Sequence, residues 1–406
     1  MAKRGRRLGS TVPMVGSGCD RRLRVLCTST GGAGHVNALA PVAQALLTAG
    51  HEIHWAAPRD GGDAVSALGF AWSPAGLTTT ARRDAAHVDL ANAMDLPMAH
   101  RRGPLFTALF VRAAAPVMRR DLASLWDDVK PDIVVRETAE LAAAAMAASH
   151  DVPMVTVAFS GVLPASARPL VLAGLRTLWH AEGLDDPSWS DIYGDLYLHP
   201  FPPSFGQRPD TMAVQPLRPG IAATLTDSPP WVAALGRERK CIYVSSGTER
   251  PSTTFPWKEV CRALGRLDVD AVATIGPHVE FDALGTAPSN VRVERFVPQA
   301  WVLPRSSVVV SHGGAGTVLG AAAHGRAQLV VPLFADQWEN GLAVRDAGCG
   351  TLVEPDRRSS DDLESMIIEL RDGTSYPAAA GAVAREISAM PTADALVGKI
   401  EALVKS

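Results

Sequence analysis

The chain has 406 residues, 47% of them hydrophobic and 20% charged, with a formal net charge of -3. That length exceeds what one hydrophobic core usually serves, so two domains are expected, and the lack of a basic excess argues against a nucleic-acid partner. The five cysteines, Cys19, Cys27, Cys241, Cys261 and Cys349, are scattered without a CxxC pair, which fits reduced thiols in a cytoplasm better than disulfides or a zinc site.

Residues 1–20 carry a basic cluster, but Gly, Ser and Pro interrupt everything after Leu8, so the apolar core of a signal peptide is missing. A disordered basic tail is expected there. The most apolar run, LAAAAMAAS from Leu141, is too short to cross a bilayer, and no membrane association is expected. From Arg21 the chain reads as an apolar strand LRVLCTS, a glycine-rich turn, an amphipathic helix ending at Gly50 and a second strand HEIHWAAP. Residues 131–159 repeat that grammar around Val135 and Val155. Strands alternating with helices at this spacing imply right-handed βαβ units and a parallel sheet. The reading is α/β, with a first Rossmann-like domain over 21–214.

Residues 215–231, QPLRPGIAATLTDSPPW, are crowded with Pro, Gly and Thr and lack periodicity, which reads as an interdomain linker. The grammar then restarts with KCIYVSSGTE, VCRALGRL, DAVATIG and a βαβ unit from Ser306 to a strand ending at Phe334. Residues 232–406 are expected to form a second Rossmann-like domain, whose last helix can pack back on the first. Residues 131–159 line up with 306–334, so Glu137 and His312 occupy corresponding strand ends. Ligands of such sheets bind beyond the carboxyl ends of the strands, so the chemistry is expected in a cleft between the halves.

The turn after the first strand, TGGAGHVN, has Asn37 where a dinucleotide-binding fingerprint needs a third small residue, so it fails that pattern. The stretch VVSHGGAGTV is stronger. A buried strand delivers His312, then Gly313, Gly314 and Gly316 allow close approach of a ligand, and Thr317 is expected to begin a helix whose amides and dipole favour an anion. A tight turn using glycine for packing alone is the competing reading. Ser245, Ser246, Gly247 and Thr248 follow another strand and offer hydroxyls and amides, or form an ordinary turn. In PLFADQWENG, Asp336, Gln337 and Asn340 offer acceptors and donors suited to sugar hydroxyls, or a solvated loop with a helix cap at Asp336. The one Asp-x-Asp, Asp268-Val269-Asp270, lies on the helix-to-strand side away from the expected cleft, and no metal is expected.

The stretch RFVPQAWVLPRSSVVVSHGGAGTVLGAAAHGRAQLVVPLFADQ closely resembles the donor-binding signature of GT-B glycosyltransferases that act on small molecules. The likeness is greatest to bacterial enzymes that decorate macrolides, glycopeptides and enediynes, and GHVNALAPVAQAL and PDIVV resemble the N-terminal half of that family. The resemblance implies two doubly wound domains facing across a cleft. It makes His35 the general base and Glu137 the acid that holds it, because an acceptor hydroxyl is a poor nucleophile until an imidazole takes its proton and a carboxylate stabilises the resulting imidazolium. It assigns the donor diphosphate to His312, Gly313, Gly314, Ala315, Gly316 and Thr317 with Ser246, Gly247 and Thr248. The nucleotide base falls to Phe296 and Val297, with Phe296 standing where many relatives carry Trp, and the sugar hydroxyls fall to Asp336 and Gln337.

The implied reaction is a metal-independent, inverting displacement without a cofactor. Relatives using uridine donors have a glutamate three positions after the Ser/Thr of the glycine-rich turn; that position is Gly320, so a dTDP-linked deoxysugar is the expected co-substrate. The acceptor is expected to be a small hydrophobic natural product, lined by Asn37, Phe106, Phe110 and Phe159, with its pocket formed by residues 77–102 and 160–190. Three alternatives stand beside this reading: a UDP-sugar-dependent transferase inactivating a macrolide-type compound, an epimerase-like GT-B relative without an acceptor, and a non-catalytic accessory protein. The aglycone, the sugar, the oligomeric state (a homodimer included) and any need for an activating partner are left open.

Overall fold

A computed structural model describes residues 21–209, 214–220, 228–247, 255–276 and 279–404. The basic tail, residues 221–227 of the expected linker, and Thr248 lie outside the described residues. The first half is a seven-stranded parallel sheet: β1 (Arg24–Thr28), β2 (Glu52–Ala57), β3 (Ala71–Pro74), β4 (Ile133–Glu137), β5 (Met154–Val157), β6 (Leu196–His199) and β7 (Val214–Pro216), in the order β3-β2-β1-β4-β5-β6-β7. The second half holds six strands: β8 (Cys241–Ser245), β9 (Asp270–Thr274), β10 (Val291–Glu294), β11 (Ser306–Ser311), β12 (Ala327–Val330) and β13 (Gly350–Leu352), in the order β10-β9-β8-β11-β12-β13. In both sheets the strand order therefore reverses between the first and fourth strands, the place where such sheets open a crevice.

Helices cover both faces of each sheet, which is why strands such as β4, with all five residues buried, read as continuous apolar runs rather than alternating ones. Along β1, Val25 and Cys27 pack toward the helix Ala33–Thr48, while Leu26 packs on the opposite face with the helices Ala115–Val129 and Ala142–Ser149. In the second half, Ile242, Val244, Val308 and Val310 pack beneath the helices Trp257–Gly265 and Ser360–Asp372, and Tyr243 and Val309 face the other side.

Three details differ from the sequence reading. Val214–Pro216 pairs with β6 as the edge of the first sheet, so the chain is still in that sheet at Gln215 and Pro216, where the linker is expected to begin. The strand expected to reach Phe334 ends at Val330. The helix after His312 starts at Ala315 with Gly314 as its cap, which puts Thr317 inside its first turn.

The halves meet along a broad seam. Phe201 and Phe205 from the first half pack with Val318 and Leu319 of the helix Ala315–Ala323. Gln207 Nε2 donates to Glu339 O at 3.1 Å, and Arg218 Nε donates to Met390 O at 3.1 Å. The last helix, Ala393–Val404, returns to the first half, where Leu396 and Ile400 pack with Val36 and Leu39 and the His51 ring meets Glu401 at 3.0 Å. Among the described residues no helix is long and apolar enough to cross a membrane, and Cys27, Cys241, Cys261 and Cys349 are buried free thiols.

Candidate active site

The turn leaving β1 passes through Gly32 at φ 110°, a conformation open to glycine, and the helix Ala33–Thr48 begins immediately after it. His35 therefore sits in the first helical turn. β1 pairs with β4 so that Thr28 faces Arg136, and this register brings the next residue of β4, Glu137, against the turn. The His35 Nδ1 lies 3.1 Å from Glu137 Oε1, and both side chains are buried. Thr30 completes the arrangement. Its hydroxyl donates to Glu137 Oε1 at 2.8 Å and lies 3.0 Å from His35 Nδ1, and its amide donates to the same carboxylate oxygen at 3.1 Å.

Burial alone would raise the Glu137 carboxyl, but the facing His35 and the amides of Ala139 and Thr30 outweigh it and hold the group down at about 2. Glu137 is thus ionised across the working range. With Nδ1 occupied by this pair, the imidazole has Nε2 available to take a proton.

Aromatic rings wall the imidazole. Phe159, on the loop after β5, has its centroid 4.2 Å from the His35 ring, and Phe110 lies at 5.6 Å. Phe110 belongs to a π-helical stretch, Thr107–Ala114, within a continuous helical run, and π turns are frequent at functional sites. Arg102 fastens the Phe159 loop by donating to Val162 O at 2.7 Å and Ser160 Oγ at 3.2 Å, and also to Gly161 O.

Thr138, the residue after Glu137, lines a cavity with Ser160, Phe106, Trp189, Tyr193 and Tyr197. Its walls include Ser160, Leu163 and Trp189 from the 160–190 segment, but nothing from 77–102. Asp89, Asn92 and Leu96 of that segment line a separate, more open groove with Arg112 and Leu170. Phe106 lines the cavity and Phe159 and Phe110 pack on the base. Asn37 does not join them: two residues beyond His35 on a helix, it is turned to the opposite side and exposed.

The second half supplies a matching turn. His312 follows β11, its amide donates to Ser245 O at 3.2 Å, and its ring lies between two glycines. A Cβ at Gly247 would fall 2.8 Å from His312 Cε1, and one at Gly314 2.5 Å from His312 Nε2, so both positions must lack a side chain. Gly313 adopts φ 89°, donates its amide to Ser311 Oγ at 3.2 Å, and accepts from Asn340 Nδ2 at 2.9 Å. The first amides of the following helix, at Ala315, Gly316 and Thr317, have no intrahelical acceptor. Thr317 Oγ1 accepts from Gln299 Nε2 at 2.9 Å. Ser246 is buried and its hydroxyl donates to Ile275 O at 3.4 Å.

Phe296 is 67% exposed, whereas the Val297 side chain is buried in the core among Tyr243, Val302 and Leu303. Asp336 and Gln337 follow Ala335, a non-glycine residue at φ 55°, a strained conformation of the kind that clusters at ligand sites. Asp336 Oδ2 accepts from Asn340 Nδ2 at 2.9 Å, so Asn340 ties this loop to the glycine turn. Gln337 Oε1 accepts the amides of Leu333 and Phe334, both at 2.8 Å, which directs only its amide nitrogen to other partners. Asp268 and Asp270 lie at the amino end of β9, where Arg239 pairs with Asp270 at 2.6 Å.

The sequence reading did not single out roles for Thr30 and Gln299, nor for Tyr193 and Tyr197. Thr30 stands in the quoted turn and Gln299 in the VPQ stretch, but their partners are remote in sequence.

A family model for the erythromycin biosynthesis protein CIII-like C-terminal domain matches residues 258–403. The elloramycin glycosyltransferase ElmGT of Streptomyces olivaceus is 30% identical over 91% of this chain and 94% of its own. The L-demethylnoviosyl transferase of Streptomyces niveus is 30% identical over 84% of this chain and 87% of its own. The solved structure of glycosyltransferase VinC in complex with dTDP superposes with a TM-score of 0.76 at 22% identity, over 94% of this chain and all of that one. The fold is GT-B. The chain belongs to the bacterial natural-product glycosyltransferases and is an enzyme of that class.

Proposed function

We propose that this enzyme moves a deoxysugar from a dTDP-linked donor to a hydroxyl of a small hydrophobic natural product, by single displacement with inversion and without a metal. The observation that carries the reading is the buried His35–Glu137 pair, 3.1 Å apart and walled by the Phe110 and Phe159 rings. In the reaction His35 Nε2 takes the acceptor hydroxyl proton as that oxygen bonds to the anomeric carbon. Glu137 and Thr30 hold the ring through Nδ1 and stabilise the imidazolium. The bond from the anomeric carbon to the diphosphate oxygen breaks on the opposite face. The departing negative charge falls on His312 and the amides of Ala315 to Thr317, preorganised donors at a helix start. The matching family model is described as an erythromycin biosynthesis protein CIII-like domain and one relative as an elloramycin glycosyltransferase, which supports the acceptor class.

The nucleotide assignment rests on Gly320. It is buried, and a Cβ there would lie 3.1 Å from Leu303 Cδ1 and 3.4 Å from Gln299 Oε1. A glutamate gripping both ribose hydroxyls would have to displace these neighbours. Close helix packing therefore accounts for part of the glycine, and Gln299 is the neighbouring polar group on that side. A deoxyribose has no 2′-hydroxyl to satisfy, so the thymidine donor loses less by the missing carboxylate. Comparing kcat/KM for one sugar on dTDP and on UDP tests this: the dTDP form is expected to be the better donor, and a clear preference for UDP would overturn it in favour of a UDP-sugar-dependent transferase.

A further inference from the structure

Behind the His35–Glu137 pair lies a second set of charges that the mechanism above does not use. Arg136 precedes Glu137 on β4 and is fully buried, and Glu140 follows three residues later at 1% exposure. Unneutralised charge at such depth is costly, so buried ions are retained only with compensating partners. Arg136 Nη1 donates to the carbonyls of Glu137 at 3.0 Å and Glu140 at 2.6 Å, and Nη2 donates to Ile192 O. The guanidinium is thereby fixed against both glutamate residues.

The partners of the Glu140 carboxyl are donors. Thr28 Oγ1 donates to Oε2 at 2.6 Å, the Ala142 amide to Oε1 at 2.8 Å, and the Ala143 amide to both oxygens at 3.3 Å. The helix Ala142–Ser149 also starts at this point and presents its positive end. Burial holds the Glu140 carboxyl above its ordinary value, and the Thr28 hydroxyl, Arg136 and the Ala143 amide pull against that rise and favour the ionised form. Tyr193 and Tyr197 also face Arg136, and burial raises both phenols, so they are neutral. Facing His35 are Glu137 and Thr30 and, from neighbouring elements, the uncharged rings of Phe110 and Phe159; Arg82 lies 4.7 Å over the Phe110 ring.

The balance of this set is informative. Two carboxylates and one guanidinium sum to one negative charge while His35 is neutral, and to zero once it carries the acceptor proton. Proton transfer to His35 then removes a net charge from a region shielded from water. We propose that Arg136 and Glu140 are positioning residues whose opposed charges behind Glu137 set how readily His35 takes the acceptor proton. The proposal rests on the reading of His35 as the base. Glu140 favours the imidazolium and Arg136 opposes it, so their removal has opposite consequences. A purely structural role would not separate the two by sign.

The test is an NMR titration of the full chain labelled with carbon-13 at histidine Cε1, the His35 resonance being assigned by its loss in His35→Gln. Glu140→Gln preserves size and one acceptor oxygen, its NH2 facing the Thr28 hydroxyl, which can turn to accept, and it is expected to move the His35 titration to lower pH by roughly 0.5–1 unit. Arg136→Met is expected to move it to higher pH by a similar amount, and Arg136→Lys, which keeps the charge, by less than Arg136→Met. If Arg136→Met does not fold, Glu140→Gln decides alone. An unmoved His35 titration in folded Glu140→Gln, or shifts of the same sign in Glu140→Gln and Arg136→Met, would overturn the proposal. Because the titration needs no substrate, it is separate from the base assignment: undiminished sugar transfer by His35→Gln would remove the reading on which the proposal rests, whatever the titration shows.

Discussion

Replacing His35 with alanine is expected to lower kcat by roughly 10²–10⁴, the usual worth of a positioned base, while leaving the affinity for the donor nucleotide nearly intact. The two effects separate because His35 stands at the switch point of the first sheet, whereas the His312 turn proposed to hold the nucleotide stands at the switch point of the second. Glu137→Gln is expected to cost less. It keeps an oxygen near Nδ1 and the hydrogen-bonding distance, but removes the charge that stabilises the imidazolium. Steady-state rates on the natural acceptor, with calorimetric titration of the nucleotide diphosphate, check both expectations. A His35→Ala enzyme with unaltered turnover would end the assignment of the base.

His312→Ala is expected to weaken nucleotide affinity and slow transfer together. Its ring fills the gap between Gly247 and Gly314, so truncation removes the proposed donor to the diphosphate and also leaves two glycine backbones without the group they pack against. Loss of one preorganised donor of this kind costs about 10²–10³ in kcat. Added EDTA is expected to change neither property of the wild type. Strict dependence of transfer on Mg²⁺ or Mn²⁺ would show that the leaving group is stabilised by a metal ion instead.

Much of this arrangement was legible because it depends on local grammar. The repeated βαβ pattern aligned Glu137 with His312, and in the folded chain Glu137 ends β4 while His312 follows β11, at equivalent places in two sheets of the same order. The glycines around His312 announced a tight turn, and the structure gives the reason: the imidazole occupies the space that side chains at Gly247 and Gly314 would need.

What stayed hidden depends on distance along the chain or on helical phase. Thr30 meets Glu137 across 107 residues, and nothing in a threonine beside two glycines announces such a partner. Asn37 was drawn into the acceptor site by its closeness to His35 in sequence, but with the helix beginning at Ala33 two steps rotate it to the solvent side. Val297 follows an exposed aromatic, yet the strand-to-helix path turns it into the core. The cavity takes Ile192, Tyr193 and Tyr197 from a short helix and β6, beyond the segment 160–190 expected to form the pocket. Arg136 and Glu140 are charged residues within and just after a buried strand, and only the register of β1 with β4 and the start of the following helix make their burial intelligible.

The central claim, a single displacement driven by His35, is tested most directly by the anomeric configuration of the product. A dTDP-6-deoxyhexose of known configuration can be turned over with a panel of phenolic and macrolactone acceptors, and the coupling constant of the anomeric proton read by NMR in donor and product. Inversion at the anomeric carbon is the predicted result, and retention would contradict the account.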